Sequence, residues 1–344
     1  MVLDHQPKAL TAKQMREQQV MKIYKCLEEI KEPIPNAYVT IGNFDGVHRG
    51  HQKLFSDVVT KARQNNGTSV VITFEPHPLK VVRPDIGIKL ISTYEQKLEL
   101  IDMAKIDVLI VIPFTREFAN TQAEDFVDDA LIRTIGVKEL VVGYDYAFGK
   151  GRQGDIPFLK NQGLQKGFAV SVVEPLYVDD MLSSSTKIRE LVAQGLMGEV
   201  KKLLGRFYQI RGNVLIGKQR GGPVVGFPTA NIHIAEEDLC PKHGVYVTHV
   251  VYAGRCYGGV MNFGYNPTFG ENQLSAETHI FNFNQEIYGK SIKINLLKYL
   301  RSEQRFAGPK ELSAQINRDV EQAKQVLIDA EKELVLSCED RYNQ

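Results

Sequence analysis

Val39-Thr-Ile-Gly-Asn-Phe-Asp-Gly-Val-His-Arg-Gly-His51 is the stretch on which the fold of this chain turns. Val39 and Ile41 suit a buried strand, and Gly42 and Gly46 permit backbone angles or close approaches that a side chain resists. His48 and His51 stand three apart, so a helix starting beside them brings both imidazoles to one face. The first turn of that helix also carries open N–H groups. Imidazoles beside such donors make a site for a polyphosphate.

Outward from this stretch, β-rich runs near 37–42, 69–74, 107–112, 139–144 and 169–174 alternate with helical patterns near 49–64, 94–105, 121–134 and 155–166. The alternation predicts a parallel sheet covered on both faces, with ligands at the strand C-termini. Upstream, Met15, Val20, Ile23, Tyr24 and Leu27 recur at near-helical spacing before Pro33 and Pro35, which predicts a charged helical lead-in over 1–36. Downstream, Lys187 to Leu204 reads as helix and stops at Gly205. Short strands then follow near 206–216, 244–252, 256–263, 276–284 and 291–298, the pattern of an antiparallel sheet or barrel. A final amphipathic helix has Leu312, Ile316, Val320, Ala323, Leu327, Ala330 and Leu334 on one stripe, which suits packing on the barrel.

At 344 residues there is room for two domains with full cores. A formal net charge of +1 gives no global field for nucleic acid or an anionic membrane, and no basic stripe with interleaved aromatics stands in for one. Phosphate affinity must therefore be local. The four cysteines are scattered without a Cys-x-x-Cys pair, which fits a reducing compartment rather than a disulfide framework or a zinc site. No apolar run approaches a membrane span, and residues 1–20 are too polar for a secretory signal. These features predict a cytoplasmic protein; they leave its oligomeric state open.

A second constellation is Leu182-Ser-Ser-Ser-Thr-Lys-Ile-Arg189. Ser184, Ser185 and Thr186 supply hydroxyls at a helix start, and Arg189 presents a planar cation matched to phosphate oxygens. An N-capping serine beside a solvated arginine is the simpler explanation of the same residues. Thr73-Phe-Glu-Pro-His-Pro78 and Gly143-Tyr-Asp-Tyr-Ala-Phe-Gly-Lys-Gly-Arg152 fall at two further strand ends on the ligand side. Two glycine patterns compete for attention. Gly149 to Gly154 matches a dinucleotide fingerprint, with Glu174 twenty residues on, but leaves the histidine turn unexplained. Gly212 to Lys218 nearly matches a P-loop, yet Gln219 replaces the hydroxyl residue such a loop needs.

His48-Arg49-Gly50-His51 closely resembles the His-x-Gly-His signature of nucleotidylyltransferases, and Gly-Asn-Phe-Asp-Gly-Val-His resembles the bacterial bifunctional riboflavin kinase/FMN adenylyltransferase (FAD synthetase) family. Ser184 to Arg189 resembles that family's Ser-Ser-Thr-x-x-Arg segment. Gly226-Phe-Pro-Thr-Ala-Asn-Ile232, with Gly259 to Phe269 and Ala276-Glu-Thr-His-Ile280, resembles the riboflavin kinase signature. The resemblance implies a doubly wound α/β nucleotidylyltransferase domain over 1–187, a helical linker over 188–205, and a six-stranded antiparallel β-barrel with a C-terminal helix over 206–344. It implies transfer of AMP from ATP to FMN, giving FAD and pyrophosphate, and phosphorylation of riboflavin to FMN. The alternative is an FAD synthetase whose kinase-like barrel is inactive and only binds flavin.

By the same resemblance, Asn43, His48 and His51 bind the triphosphate within a turn of Gly42, Phe44, Asp45 and Gly46, and Ser184, Thr186 and Arg189 close over it. Asp145, Tyr146 and Phe148 meet flavin or metal. In the barrel, Thr229 and Asn231 surround the Mg²⁺ of ATP, and Glu277 is the base, because the riboflavin hydroxyl must lose a proton as it attacks. Three departures stand out. Ala147 replaces a larger or polar residue, the loop Gly217 to Val225 is one residue longer with Pro223 near a basic position, and Asn282 replaces an acid.

Overall fold

The computed structural model describes residues 20–215, 227–265 and 274–342, with side chains of the last helix described as far as Ala330. The chain divides into two compact units. One comprises Met1–Ile88 with Tyr94–Leu176, the other Lys89–Thr93 with Tyr177–Gln344.

The first unit is built on strands β1 (Lys22–Tyr24), β2 (Ala37–Ile41), β3 (Thr68–Glu75), β4 (Val108–Pro113), β5 (Val137–Gly143) and β6 (Ala169–Val173). They form one sheet in the order β1-β4-β3-β2-β5-β6, and every neighbouring pair is parallel. Strict alternation of side chains gives the sheet two apolar faces. Val70, Ile72, Ile110, Leu140 and Val142 face a cluster with Val127, Ala130 and Leu131 of the π-helix Phe126–Ile135 and with Leu159 of helix α3 (Ile156–Lys166). Val71, Leu109, Val111 and Val141 face the other way, onto Phe55, Val58 and Ala62 of α1 (Arg49–Gln64) and Ile101 of α2 (Tyr94–Met103).

The helical lead-in predicted over 1–36 does not form where the structure describes it. Lys22–Tyr24 is a strand paired with Val108, Leu109 and Ile110, and Leu27–Glu29 makes a single 3-10 turn. Val20 is 86% exposed and Ile23 40%, while Tyr24 and Leu27 pack against the core, so the stripe does not bury one helical face. The open edge of β4 offers unpaired backbone groups, and a β-favouring Ile-Tyr pair takes them. Residues 1–19 lie outside the described residues.

In the second unit a small hairpin, β7 (Tyr177–Val178) and β8 (Met181–Leu182), leads into α4 (Ser185–Gln194) and α5 (Met197–Leu204). A closed barrel follows from β9 (Tyr208–Leu215), β10 (Ala230–His233), β11 (Gly244–Tyr252), β12 (Arg255–Tyr265), β13 (Leu274–Ile280) and β14 (Ser291–Arg301). Its order is β10-β13-β12-β11-β14-β9, antiparallel throughout. Among the described residues, closure gives every strand of the barrel two paired neighbours. Ile210, Ile232, Tyr246, Met261, Phe263 and Ile294 share one cluster with Ile188, Leu191, Val192, Val200 and Leu203. The helices predicted as a linker over 188–205 are therefore part of the barrel unit's core. Outside the barrel, α6 (Pro309–Tyr342) lays Val320, Ala323 and Leu327 on Val245, Val247, Val260 and Leu297. Arg301 pins the helix by donating from Nε and Nη2 to the buried Asp319 carboxylate at 3.0 and 2.6 Å.

Candidate active sites

The turn after β2 is held by packing as much as by hydrogen bonds. Gly42 N–H donates to Ile72 O at 3.1 Å, and a Cβ on Gly42 would lie 2.9 Å from the Phe44 ring, so a side chain there displaces that ring. Phe44, Gly46 and Val47 adopt positive φ of 49°, 77° and 38°. Such angles strain a non-glycine residue; near-complete burial of Phe44 and Val47 offsets the cost here. The chain leaves the turn at His48, which caps α1: its Nδ1 accepts from His51 N–H at 3.4 Å. With Nδ1 an acceptor, the neutral ring carries its hydrogen on Nε2. The His48 and His51 rings stack at 3.6 Å and 24°, and Phe44 meets His51 edge-on at 5.2 Å. The two imidazoles thus stand at the N-terminus of a sixteen-residue helix, where the dipole favours an anion. Asn43 is exposed at the mouth of the turn, its carbonyl accepting from Thr73 Oγ1 at 3.2 Å, while Asp45 is buried behind it.

β2 and β5 are neighbours, yet the chain runs from β2 to β3 and β4 on one side and from β5 to β6 on the other. Ligands of doubly wound sheets bind at such a switch point, at the strand C-termini. The residues after β5 are Asp145, which is exposed, and Tyr146 and Phe148, whose rings stack at 5.6 Å. Burial keeps the Tyr146 hydroxyl far above its ordinary range, so it stays a neutral donor. The dinucleotide-like glycines have a local explanation. Phe148 and Gly154 exchange two backbone hydrogen bonds, and a Cβ on Gly154 would lie 2.4 Å from the Phe148 ring. Helix α3 then starts only after the Asp155 cap.

Ser184, Thr186 and Arg189 belong to the second unit. Ser184 caps α4, its hydroxyl accepting from Lys187 N–H at 3.3 Å; Thr186 is exposed in the first turn; Arg189 Nε donates to Lys89 O at 2.8 Å.

On the barrel, Asn231 of β10 and Asn262 of β12 both stand opposite Glu277 of β13 in register. Burial, and then the nearby Glu303, raise the Glu277 carboxyl above its ordinary range, which suits a base. Asn262 Nδ2 donates to Glu303 Oε1 at 3.4 Å, and the Glu303 carboxylate lies on Gly264, where a Cβ would sit 2.1 Å from Oε1. Asn231 Oδ1 is buried without a hydrogen-bond partner among the described residues. Thr229 is exposed on the adjoining turn, which is held by His279 Nδ1 donating to Pro228 O at 3.0 Å. Asn282 has a φ of 53°, a left-handed angle that asparagine tolerates well. The loop around Pro223 and the part of the P-loop-like run beyond Leu215 lie outside the described residues.

Residues 30–187 match the FAD synthetase family, and residues 204–327 match the riboflavin kinase family. The bifunctional riboflavin kinase/FMN adenylyltransferase of Buchnera aphidicola subsp. Acyrthosiphon pisum is 35% identical over 303 residues, spanning 87% of this chain and 96% of the relative. That of Bacillus subtilis (strain 168) is 38% identical over 298 residues, 86% of this chain and 93% of the relative. The chain belongs to the bifunctional riboflavin kinase/FMN adenylyltransferase family. A crystal structure of a macrolide-efflux protein from Streptococcus pneumoniae has a TM-score of 0.79 at 30% identity, covering 89% of this chain and 99% of that one. Its name points to transport, whereas no helix among the described residues here is long and apolar enough to cross a membrane.

Sequence reasoning overlooked two features of the FAD synthetase half. A chain of aromatic contacts runs from Phe74 through Phe114 and Phe118 to Phe126 and Phe148, with centroid separations of 5.5 to 6.0 Å. Of these, Phe74 and Phe148 belong to motifs recognisable in the sequence. Lys97, on α2, is buried beside the end of β3 and belongs to no motif. In the riboflavin kinase half, Asn262 was noted only within a longer run and Glu303 not at all. The signal for Glu303 was faint: a single carboxylate past the end of a predicted strand.

Proposed function

We propose that this chain makes FAD from riboflavin in two ATP-dependent steps, with residues 206–344 forming FMN and residues 1–187 adenylylating it. The observation that carries the reading is the stacked His48–His51 pair at the N-terminus of α1, next to the switch point of the sheet. An FMN phosphate oxygen is already ionised at neutral pH, so adenylyl transfer requires no general base. It requires alignment of two anions and stabilisation of charge on the α-phosphoryl group and the departing pyrophosphate. His48 and His51, with the first-turn N–H groups, supply donors for that charge. Asn43 stands at the mouth of the site, Gly42, Phe44, Asp45 and Gly46 shape the turn, and the family resemblance assigns Ser184, Thr186 and Arg189 to the triphosphate as well. The aromatic chain ending at Tyr146 and Phe148 suits a planar flavin ring, with Asp145 at its edge.

Riboflavin presents an alcohol, and Glu277 takes its proton as the oxygen attacks the γ-phosphorus, the bond to the β,γ-bridging oxygen breaks and ADP leaves. The orphaned Asn231 Oδ1 and the exposed Thr229 hydroxyl are oxygen donors of the kind Mg²⁺ takes. Mg²⁺ held there would neutralise charge on the phosphates of ATP. The relatives' names carry both activities, which favours two working sites over an inactive barrel. Cys26 and Cys240 are free thiols, in keeping with the cytoplasm. Product analysis tests the proposal. Riboflavin with ATP yields FMN and then FAD, and FMN with ATP yields FAD and pyrophosphate; absence of FAD from the second reaction overturns it.

A further inference from the structure

We propose that Lys97 is a positioning residue for adenylyl transfer, a buried cation that ties the histidine turn to the aromatic end of β3. The inference rests on the adenylyltransferase reading above and adds to it a residue that no motif contains. Lys97 is 6% exposed on α2. Its Nζ donates to Phe74 O at 3.2 Å and lies 3.5 Å from Glu75 Oε2. Burial lowers its pKa, while Glu75 and then Asp45 of the turn act to restore it. Tyr94 places its ring 5.9 Å from the same ammonium.

A lysine buried only to fill space is costly, since leucine or methionine would pack there without desolvating a charge. The partners explain its presence. Phe74 begins the aromatic chain, and its carbonyl belongs to the last residues of β3. Asp45 lies three residues before His48, in the turn that follows the adjacent strand β2. One ammonium therefore holds the end of β3, and that end is itself bonded to the histidine turn, where Thr73 Oγ1 donates to Asn43 O at 3.2 Å. In-line attack fails when the two anions are held even slightly apart from their reacting distance, and a misplacement of 1 Å costs about 10²-fold in rate. Lys97 sets that distance without touching either substrate.

The test uses the full chain, with both activities measured in each variant. Lys97→Met is expected to lower kcat for FAD formation by about 10²-fold while KM for ATP moves less than about threefold. Riboflavin phosphorylation and the unfolding midpoint stay at wild-type values, and Lys97→Arg recovers at least about tenfold of the lost kcat by restoring a cation. Lys97→Gln keeps a donor for the Phe74 carbonyl without the charge, and it carries the test should Lys97→Met fail to fold. Wild-type kcat in both neutral variants overturns the proposal. So does a rise in KM with kcat intact, or a parallel fall of both activities. Wild-type protein that forms no FAD from FMN and ATP overturns instead the adenylyltransferase reading beneath it.

Discussion

In the sheet unit the candidate ligand groups are imidazoles at a helix N-terminus; on the barrel the candidate is a carboxylate standing opposite two asparagines. The difference follows the nucleophile. A phosphate monoester arrives already charged, so a base would add only repulsion, and cationic or donor groups serve best. An alcohol arrives neutral and needs a proton acceptor whose pKa has been lifted toward neutrality. Burial and Glu303 give Glu277 that lift. Backbone architecture supports each choice. A parallel sheet ends its strands beside helix N-termini, which bind anions, whereas a closed antiparallel barrel has no such termini and builds its site from cross-strand neighbours.

The largest expected effect that tests this contrast is Glu277→Gln, which lowers riboflavin phosphorylation by about 10²–10⁴-fold and leaves FAD formation from FMN intact. His51→Ala does the reverse, lowering FAD formation by about 10²–10³-fold and sparing riboflavin phosphorylation. If either variant loses both activities while folded, the two sites are not separate. Smaller, but more diagnostic, is the pH profile. Glu277 accepts a proton only when ionised, and its carboxyl is raised, so kinase kcat falls on acidification at a higher pH than an ordinary carboxylate would give. Glu303→Gln moves that limb to lower pH, and FAD formation shows no limb that responds to the change. The smallest effect belongs to Ser184→Ala, where loss of the α4 cap costs about 1 kcal/mol of stability by thermal unfolding. A larger fall in FAD kcat than in the unfolding midpoint then separates a phosphate contact from a cap.

The strands of both units were legible because their patterns are local. Val70, Val71 and Ile72 read as strand wherever they occur, and the Gly42–His51 turn carries its glycines and imidazoles within ten residues. The sequence also offered Glu277 as the candidate base through the chemistry of an alcohol nucleophile. Lys97 and Glu303 were not legible. Their character depends on neighbours far away in the chain: Lys97 on Phe74 and Glu75, Glu303 on Asn262 and Gly264. The lead-in misled for a related reason. Spacing at Ile23 and Tyr24 fits a helix or a short strand equally well, and the vacant edge of β4 decided between them.

Residues 89–93 show the division most clearly. In the sequence they lie midway through the sheet unit, yet the fold assigns them to the other. Leu90 N–H donates to Glu237 O at 2.8 Å, Leu239 N–H donates to Leu90 O at 2.9 Å, and Ile91 enters the cluster of Ile188 and Leu191. The order of elements, the faces they bury and the chemistry of the histidine turn were set by residues near one another along the chain. Which segments share a core, and which charges are buried beside which carbonyls, was decided only by long-range packing. Burial and pairing energies depend on distance in space, and the sequence records only distance along the chain.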